Sequence, residues 1–270
     1  MSVITFLKAV LLGFVEGITE FLPISSTGHM ILVDAFLQLS ENKQFSDAFT
    51  IFIQTGATLA VIVLFRRELW PFAGTAEERK NKWLLWMKVA VAFFPAVILG
   101  LLCADTIEHY LFTPQTVACA LIFYGVALVI FEKTRGMKTG AIQDITGITF
   151  KTALFIGCFQ CLALVPGTSR SAATILGGML LRLDRRIAAE FSFFLAVPTL
   201  TGAGAYKLME SGAAFSGAEY LILATGFMVA FIVAACVIQW LMNYLRKHSF
   251  TPFGWYRIVL GVIVLLWWFR

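Results

Sequence analysis

Two short stretches of this 270-residue chain hold most of the side chains whose types and spacing could do chemistry. The first is EGITEFLPISSTGH at 16–29, with Glu16, Glu20, three consecutive hydroxyls (Ser25, Ser26, Thr27) and His29. Glu16 and Glu20 are four apart, so on a helix they share one face. Two carboxylates side by side in apolar surroundings repel and are costly to desolvate. A cation between them, or a proton on one, removes that conflict. Oxygen ligands of this kind suit Mg²⁺ or Ca²⁺; the plainer reading is a pair facing interfacial water. Pro23 ends one helix, and Ser25, Ser26 and Thr27 stand where the next begins. Hydroxyls there cap helices, and free N–H groups at a helix start also bind anions. His29, one turn on, adds a general acid, base or nucleophile.

The second stretch is PGTSRSAAT at 166–174. Pro166 and Gly167 break a helix, and Thr168, Ser169, Arg170, Ser171 and Thr174 surround a new helix start. An arginine deep in a membrane is expensive without an anionic partner. Its planar fork suits a phosphate bidentately, and an ion pair with Glu16 or Glu20 would serve when no ligand is bound. Ser171 and Thr174, three apart, share a face and could add donors. A cation site, a hydroxyl nucleophile, an imidazole and an arginine at a helix N-terminus together suit phosphoryl transfer to water. A substrate reached within a membrane would carry a long apolar tail and a phosphate head.

The elements that must position these residues read as membrane. Hydrophobic residues make up 59% of the chain, charged residues 14%, and the mean hydropathy is +0.84; soluble domains carry about 25% charged residues. One all-helical polytopic membrane domain, 1–270, is predicted. The N-terminal apolar run lacks an A-x-A-like cleavage site and belongs to the mature fold. The net charge of +5 does not point to nucleic acid, because the basic residues sit in short loops between apolar runs. Cys158 and Cys161 form a C-x-x-C pair without a second pair or a nearby histidine, so they read as small buried residues of a membrane helix.

Spans are predicted at 47–65, 83–102, 115–132, 187–207, 218–243 and 254–269. The regions 3–39 and 152–181 are instead pairs of apolar halves too short to cross, interrupted by the polar stretches. They read as re-entrant hairpins. Basic residues concentrate in 66–82 (Arg66, Arg67, Arg79, Lys80, Lys82), in 133–151 (Lys133, Arg135, Lys138, Lys151), at Arg182, Arg185 and Arg186, and at Arg246 and Lys247. With both hairpins re-entrant, all fall on one side, the cytoplasmic one. The first hairpin and both termini then lie outside.

The halves 1–132 and 151–270 resemble each other. Gly13 matches Gly157, Glu16 matches Gln160, Pro23 matches Pro166 and Ser26 matches Ser169, with one gap. FTIF at 49 matches FSFF at 191, and FTP at 112 matches FTP at 250, each with a capping Thr before a first-turn Pro. A hairpin plus three spans per half makes an inverted repeat, whose polar breaks meet near the midplane. Asp47, Thr50, Gln54 and Thr58 stripe one face of the first span, as cavity lining or as glue between helices. His109 and His248 read as loop residues.

EGITEFLPISSTGH and PGTSRSAAT resemble the two signature motifs of the undecaprenyl-diphosphate phosphatase family, the bacitracin-resistance proteins. The likeness covers length, both motifs, their spacing and the segment plan. It implies a bacterial inner-membrane hydrolase converting undecaprenyl diphosphate to undecaprenyl phosphate and inorganic phosphate. That would recycle the lipid carrier of peptidoglycan synthesis and confer bacitracin resistance. It implies an inverted-repeat fold open to the periplasm, a divalent cation, Mg²⁺ or Ca²⁺, at Glu16 and Glu20, and a lipid partner, and it allows a homodimer. Carried over, the catalytic residues are Glu20, Ser26, His29 and Arg170, with Ser25, Thr27, Ser169, Ser171 and Thr174 around the phosphate. Ser26 is the expected nucleophile with His29 as its base; the alternative makes His29 the nucleophile. A lipid-phosphate transporter is the rival, since inverted repeats with broken helices serve alternating access.

Overall fold

A computed structural model describes residues 3–34, 37–135, 140–211 and 215–268. Residues 35 and 36 of the first predicted hairpin, Lys138 and Phe269 lie outside that set. The described residues fold into eleven α-helices with no strand: α1 (Val3–Thr19), α2 (Ser26–Asp34), α3 (Lys43–Leu64), α4 (Arg66–Leu69), α5 (Ala76–Leu111), α6 (Pro114–Arg135), α7 (Phe150–Cys161), α8 (Arg170–Leu180), α9 (Arg185–Ser211), α10 (Gly217–Tyr244) and α11 (Thr251–Trp268). Six are long and apolar enough to cross a membrane: α3, α5, α6, α9, α10 and α11. These match the six predicted spans, except that α3 ends at Leu64, one residue short of the predicted 65, and Phe269 lies outside the described residues. α5 starts seven residues before its predicted span, because Thr75 and Glu78 form a reciprocal capping box that makes a polar first turn helical.

α1 and α2, and likewise α7 and α8, are short helices separated by irregular chain at the two polar stretches. α1 packs on α10, α7 on α5, α6 on α11, and α3 on both α9 and α10. Small residues permit the closest crossings: a Cβ on Gly13 would stand 2.6 Å from the Gly226 carbonyl oxygen. Fully buried phenylalanines, among them Phe21, Phe49, Phe191, Phe193 and Phe194, fill the centre. Phe21 meets Phe193 edge to face at 5.4 Å. At the capping sites, Thr113 accepts from the Thr116 amide ahead of Pro114, as predicted. The second FTP differs: Ser249 accepts from the Thr251 amide, and α11 begins at Thr251 itself.

The basic loops gather at one end through their own bonds. Lys88 donates to the Thr146 carbonyl (3.0 Å), and the Ile142 amide donates to the Arg182 carbonyl (3.1 Å). Buried Arg185 pairs with buried Glu132 at 2.5 Å, and Glu132 also accepts from the Phe250 amide (3.0 Å). All five cysteines are free. Cys158 faces outward and Cys161 is half-buried, correcting the expectation that both are buried; a helix on the bundle surface turns its apolar residues to lipid. His109 lies in the last turn of α5 rather than in a loop.

Candidate functional site between the two helix breaks

The two breaks share a backbone device. Ser25 and Ser169 both adopt a left-handed conformation, φ 73° and 71°, which costs an L-residue roughly 1–2 kcal/mol. Each hydroxyl accepts from the amide three residues on, Gly28 and Ala172, at 3.3 Å. At each serine the chain turns and a new helix begins. In conformation and capping Ser169 matches Ser25, one residue from Ser26, the partner that aligning Pro23 with Pro166 gives. Gly167 also has positive φ, 89°, and leaves no room for a Cβ against Val117.

A cavity of about 120 Å³ lies between the breaks, roughly four water volumes, the scale of one phosphate head. Glu20, Ser25, Ser26 and Thr27 line it from the first break, and Ser169 and Arg170 from the second. Gln54 of α3 completes one wall, so that residue of the polar stripe is cavity lining. Asp47 is exposed instead, and Thr50 and Thr58 bond to their own helix at Ser46 and Gln54.

Glu20 is the hub. Its Oε2 accepts from Ser26 Oγ at 2.7 Å, and its Oε1 pairs with Arg170 at 3.3 Å across the two breaks. The ion pair anticipated from sequence is thus present. Arg170 also donates to the Ser192 carbonyl (2.9 Å) and lies 5.8 Å from the Phe21 ring centroid. Its Nε–H is buried without an acceptor, as is the hydroxyl of Thr168; of the two residues, Arg170 lines the cavity and offers its donor to an anion there.

Glu16 is fully buried, and neither carboxylate oxygen has a hydrogen-bond partner. A bare carboxylate there would cost several kcal/mol. The orphaned pair of oxygens one turn from Glu20 fits a divalent cation. Among the described residues no three His, Cys, Asp or Glu side chains converge. Such an ion would complete its shell with water and substrate oxygens, as Mg²⁺ commonly does.

Three predicted residues are engaged elsewhere. His29 Nδ1 donates to the Ser25 carbonyl and Nε2 accepts from the Tyr256 hydroxyl, both at 2.7 Å, with the two rings stacked. The imidazole therefore does not meet Ser26. Ser171 Oγ donates to the Leu22 carbonyl (2.9 Å) and ties the second break to the first. Thr174 is buried between the Arg170 carbonyl (2.9 Å) and Ser192 Oγ (2.6 Å). Neither of the last two lines the cavity.

Arg257 of α11 was not singled out from sequence. It is fully buried and donates to the carbonyls of Pro23 (3.3 Å), Gly167 (2.9 Å) and Thr168 (2.9 Å). No carboxylate neutralises it among the described residues. One guanidinium thus staples both breaks and places a positive charge behind the cavity. The signal was available: a lone arginine inside the last apolar span, where such a residue marks function or an internal partner.

Comparison with known proteins places the chain in a family. The chain is 49% identical to undecaprenyl-diphosphatase 1 of Clostridioides difficile (strain 630), covering 99% of this chain and 98% of the relative. It is 49% identical to undecaprenyl-diphosphatase of Enterococcus faecalis over 98% of both chains. It is 48% identical to undecaprenyl-diphosphatase of Lacticaseibacillus paracasei over 96% of this chain and 97% of the relative. Residues 9–263, which include both breaks and Arg257, match the family described as bacitracin resistance protein BacA. The chain belongs to the BacA family of bacitracin resistance proteins.

Proposed function

We propose that this chain is an integral-membrane phosphatase of the bacterial inner membrane that hydrolyses undecaprenyl diphosphate to undecaprenyl phosphate and inorganic phosphate. It would thereby recycle the lipid carrier for peptidoglycan synthesis and confer bacitracin resistance. The observation that carries this reading is Glu20 touching both Ser26 and Arg170 inside a phosphate-sized cavity.

Arg170 swings from Glu20 to the terminal phosphate and stabilises charge there. Ser26 Oγ attacks the terminal phosphorus, its proton passes to Glu20, and the bridging P–O bond breaks to release undecaprenyl phosphate. Water then cleaves the phosphoserine, freeing inorganic phosphate. Glu16 and Glu20 would hold a divalent cation, Mg²⁺ or Ca²⁺, which would supply charge neutralisation for the diphosphate when bound. The amides at the starts of α2 and α8 add donors for the phosphate. In this scheme Glu20, not His29, is the base of Ser26, because the 2.7 Å bond runs to Glu20. His29 as nucleophile remains the second reading, favoured by an imidazole held one turn from Ser26. Mapping a trapped phosphoenzyme separates them: phosphohistidine would end the serine version.

An inverted repeat of two hairpins and six spans is the architecture we infer. It is supported by the matched left-handed serines and by the exchanged pairings of α1 with α10 and α7 with α5. With the basic loops cytoplasmic, the first hairpin and both termini face the periplasm and the cavity opens to that side. All residues in this scheme come from one chain, so a homodimer is compatible but unnecessary.

Purified protein should release phosphate from a long-chain prenyl diphosphate with Mg²⁺ or Ca²⁺ and stop with a chelator. No release from folded wild type with either ion would favour a lipid-phosphate transporter that uses the same arginine without chemistry.

A further inference from the structure

Far from the catalytic cavity, at the basic end of the molecule, a groove of about 1080 Å³ runs between the end of α3, α4, the 70–75 turn and the start of α5. Its apolar walls include Trp70, Trp83 and Trp86; Arg66, Arg67 and Lys82 also line it. Trp70 is 59% exposed and Trp83 is 49% exposed. Both stand where the apolar span of α3 ends and that of α5 begins, the depth at which tryptophans sit in a bilayer interface.

The three cations are only partly offset: Glu78 attracts Lys82 but forms no ion pair with it. None joins an ion pair among the described residues. Arg66 and Lys82 donate only to carbonyls, of Val63 (3.2 Å) and Ala73 (2.8 Å). The one carboxylate lining the groove, Glu78, is occupied by the capping box, accepting from the Thr75 amide at 2.7 Å. Three cations against one carboxylate leave an excess of two positive charges beside an apolar trough. A phosphate head would sit against Arg66, Arg67 and Lys82, and an acyl chain would lie along the tryptophans. Basic pockets at this level bind anionic headgroups.

We propose that this groove is a specific site for an anionic glycerophospholipid of the leaflet on the basic side of the protein. The apolar trough explains why such large aromatics are left exposed there, and the cations select phosphate lipids with net negative charge over zwitterionic ones.

The test is native mass spectrometry of the full chain released from vesicles of equal phosphatidylglycerol and phosphatidylcholine. Wild type should retain phosphatidylglycerol at least tenfold over phosphatidylcholine, at about one lipid per chain. Arg66→Gln/Arg67→Gln/Lys82→Gln should lose that preference while its phosphate release and thermal midpoint in lipid-free detergent stay at the wild-type values. A control removing equal charge outside the groove, Lys80→Gln/Arg246→Gln/Lys247→Gln, should keep it. Equal retention of the two lipids by wild type, survival of the preference in the groove variant, or its loss in the control would overturn the proposal. So would stoichiometric displacement of phosphatidylglycerol by a polyprenyl phosphate, which would make the groove a product site.

Discussion

The two helix breaks are alike in backbone and opposite in chemistry. Each turns on a left-handed serine whose hydroxyl caps the following helix at 3.3 Å. Counting from those serines, Glu16 aligns with Gln160, Glu20 with Leu164, Ser26 with Arg170 and His29 with Ala173. The first break keeps the carboxylates, a hydroxyl and an imidazole; the second keeps the guanidinium. Neither alone can both hold a phosphate and attack it. The two breaks thus divide into an acidic side and a basic side, and the cavity lies where they meet.

The comparison can be broken most severely at Arg170. Arg170→Ala should lower kcat/KM by about 10³-fold or more, the scale of a transition-state arginine, with folding retained by circular dichroism. Arg170→Lys should recover only part, since a point charge does not replace the fork. Next comes the shared staple. Arg257→Met strips charged donors from carbonyls of both breaks, so unfolding free energy should fall by roughly 2–4 kcal/mol. Phosphate release should fall with it, measured well below the variant's midpoint.

A milder change sharpens the acidic half. Glu16→Gln removes an orphaned buried charge, so thermal stability in chelator should rise even as the cation needed for half-maximal activity increases, by about 10–100-fold. The mirror change, Gln160→Glu, adds a buried carboxylate to the basic half and should destabilise. Smallest are the caps themselves. Ser25→Ala and Ser169→Ala should cost similar amounts, about 0.5–2 kcal/mol each, in matched denaturant titrations; unequal costs would show that the two breaks are not equivalent supports.

Much of this was legible in the sequence because membrane chemistry makes polarity conspicuous. Six spans, two interrupted short pairs, and the pairing of Arg170 with a glutamate of the first motif all follow from polar residues in apolar surroundings. What was not legible depends on side-chain direction. Ser171 and Thr174 have the types of phosphate ligands, yet their hydroxyls turn to Leu22, Arg170 and Ser192. His29 is near Ser26 in sequence, but its ring stacks on Tyr256, 227 residues away. The prolines and the positive-φ serines give alignments one residue apart, and only the structure shows that the two serines share a backbone conformation. Arg257 was passed over because a hydropathy window averages one arginine into an apolar span.

The central claim is that the acidic and basic halves act as one catalytic unit through Glu20 and Arg170. A double-mutant cycle on phosphate release from a long-chain prenyl diphosphate tests it most directly, using Glu20→Gln, Arg170→Lys and the double variant at saturating Mg²⁺. Residues that act as a unit are strongly non-additive. The double variant should therefore be little worse than the poorer single one, well short of the product of the two losses. Losses that multiply would mean the two halves act independently, contradicting the account.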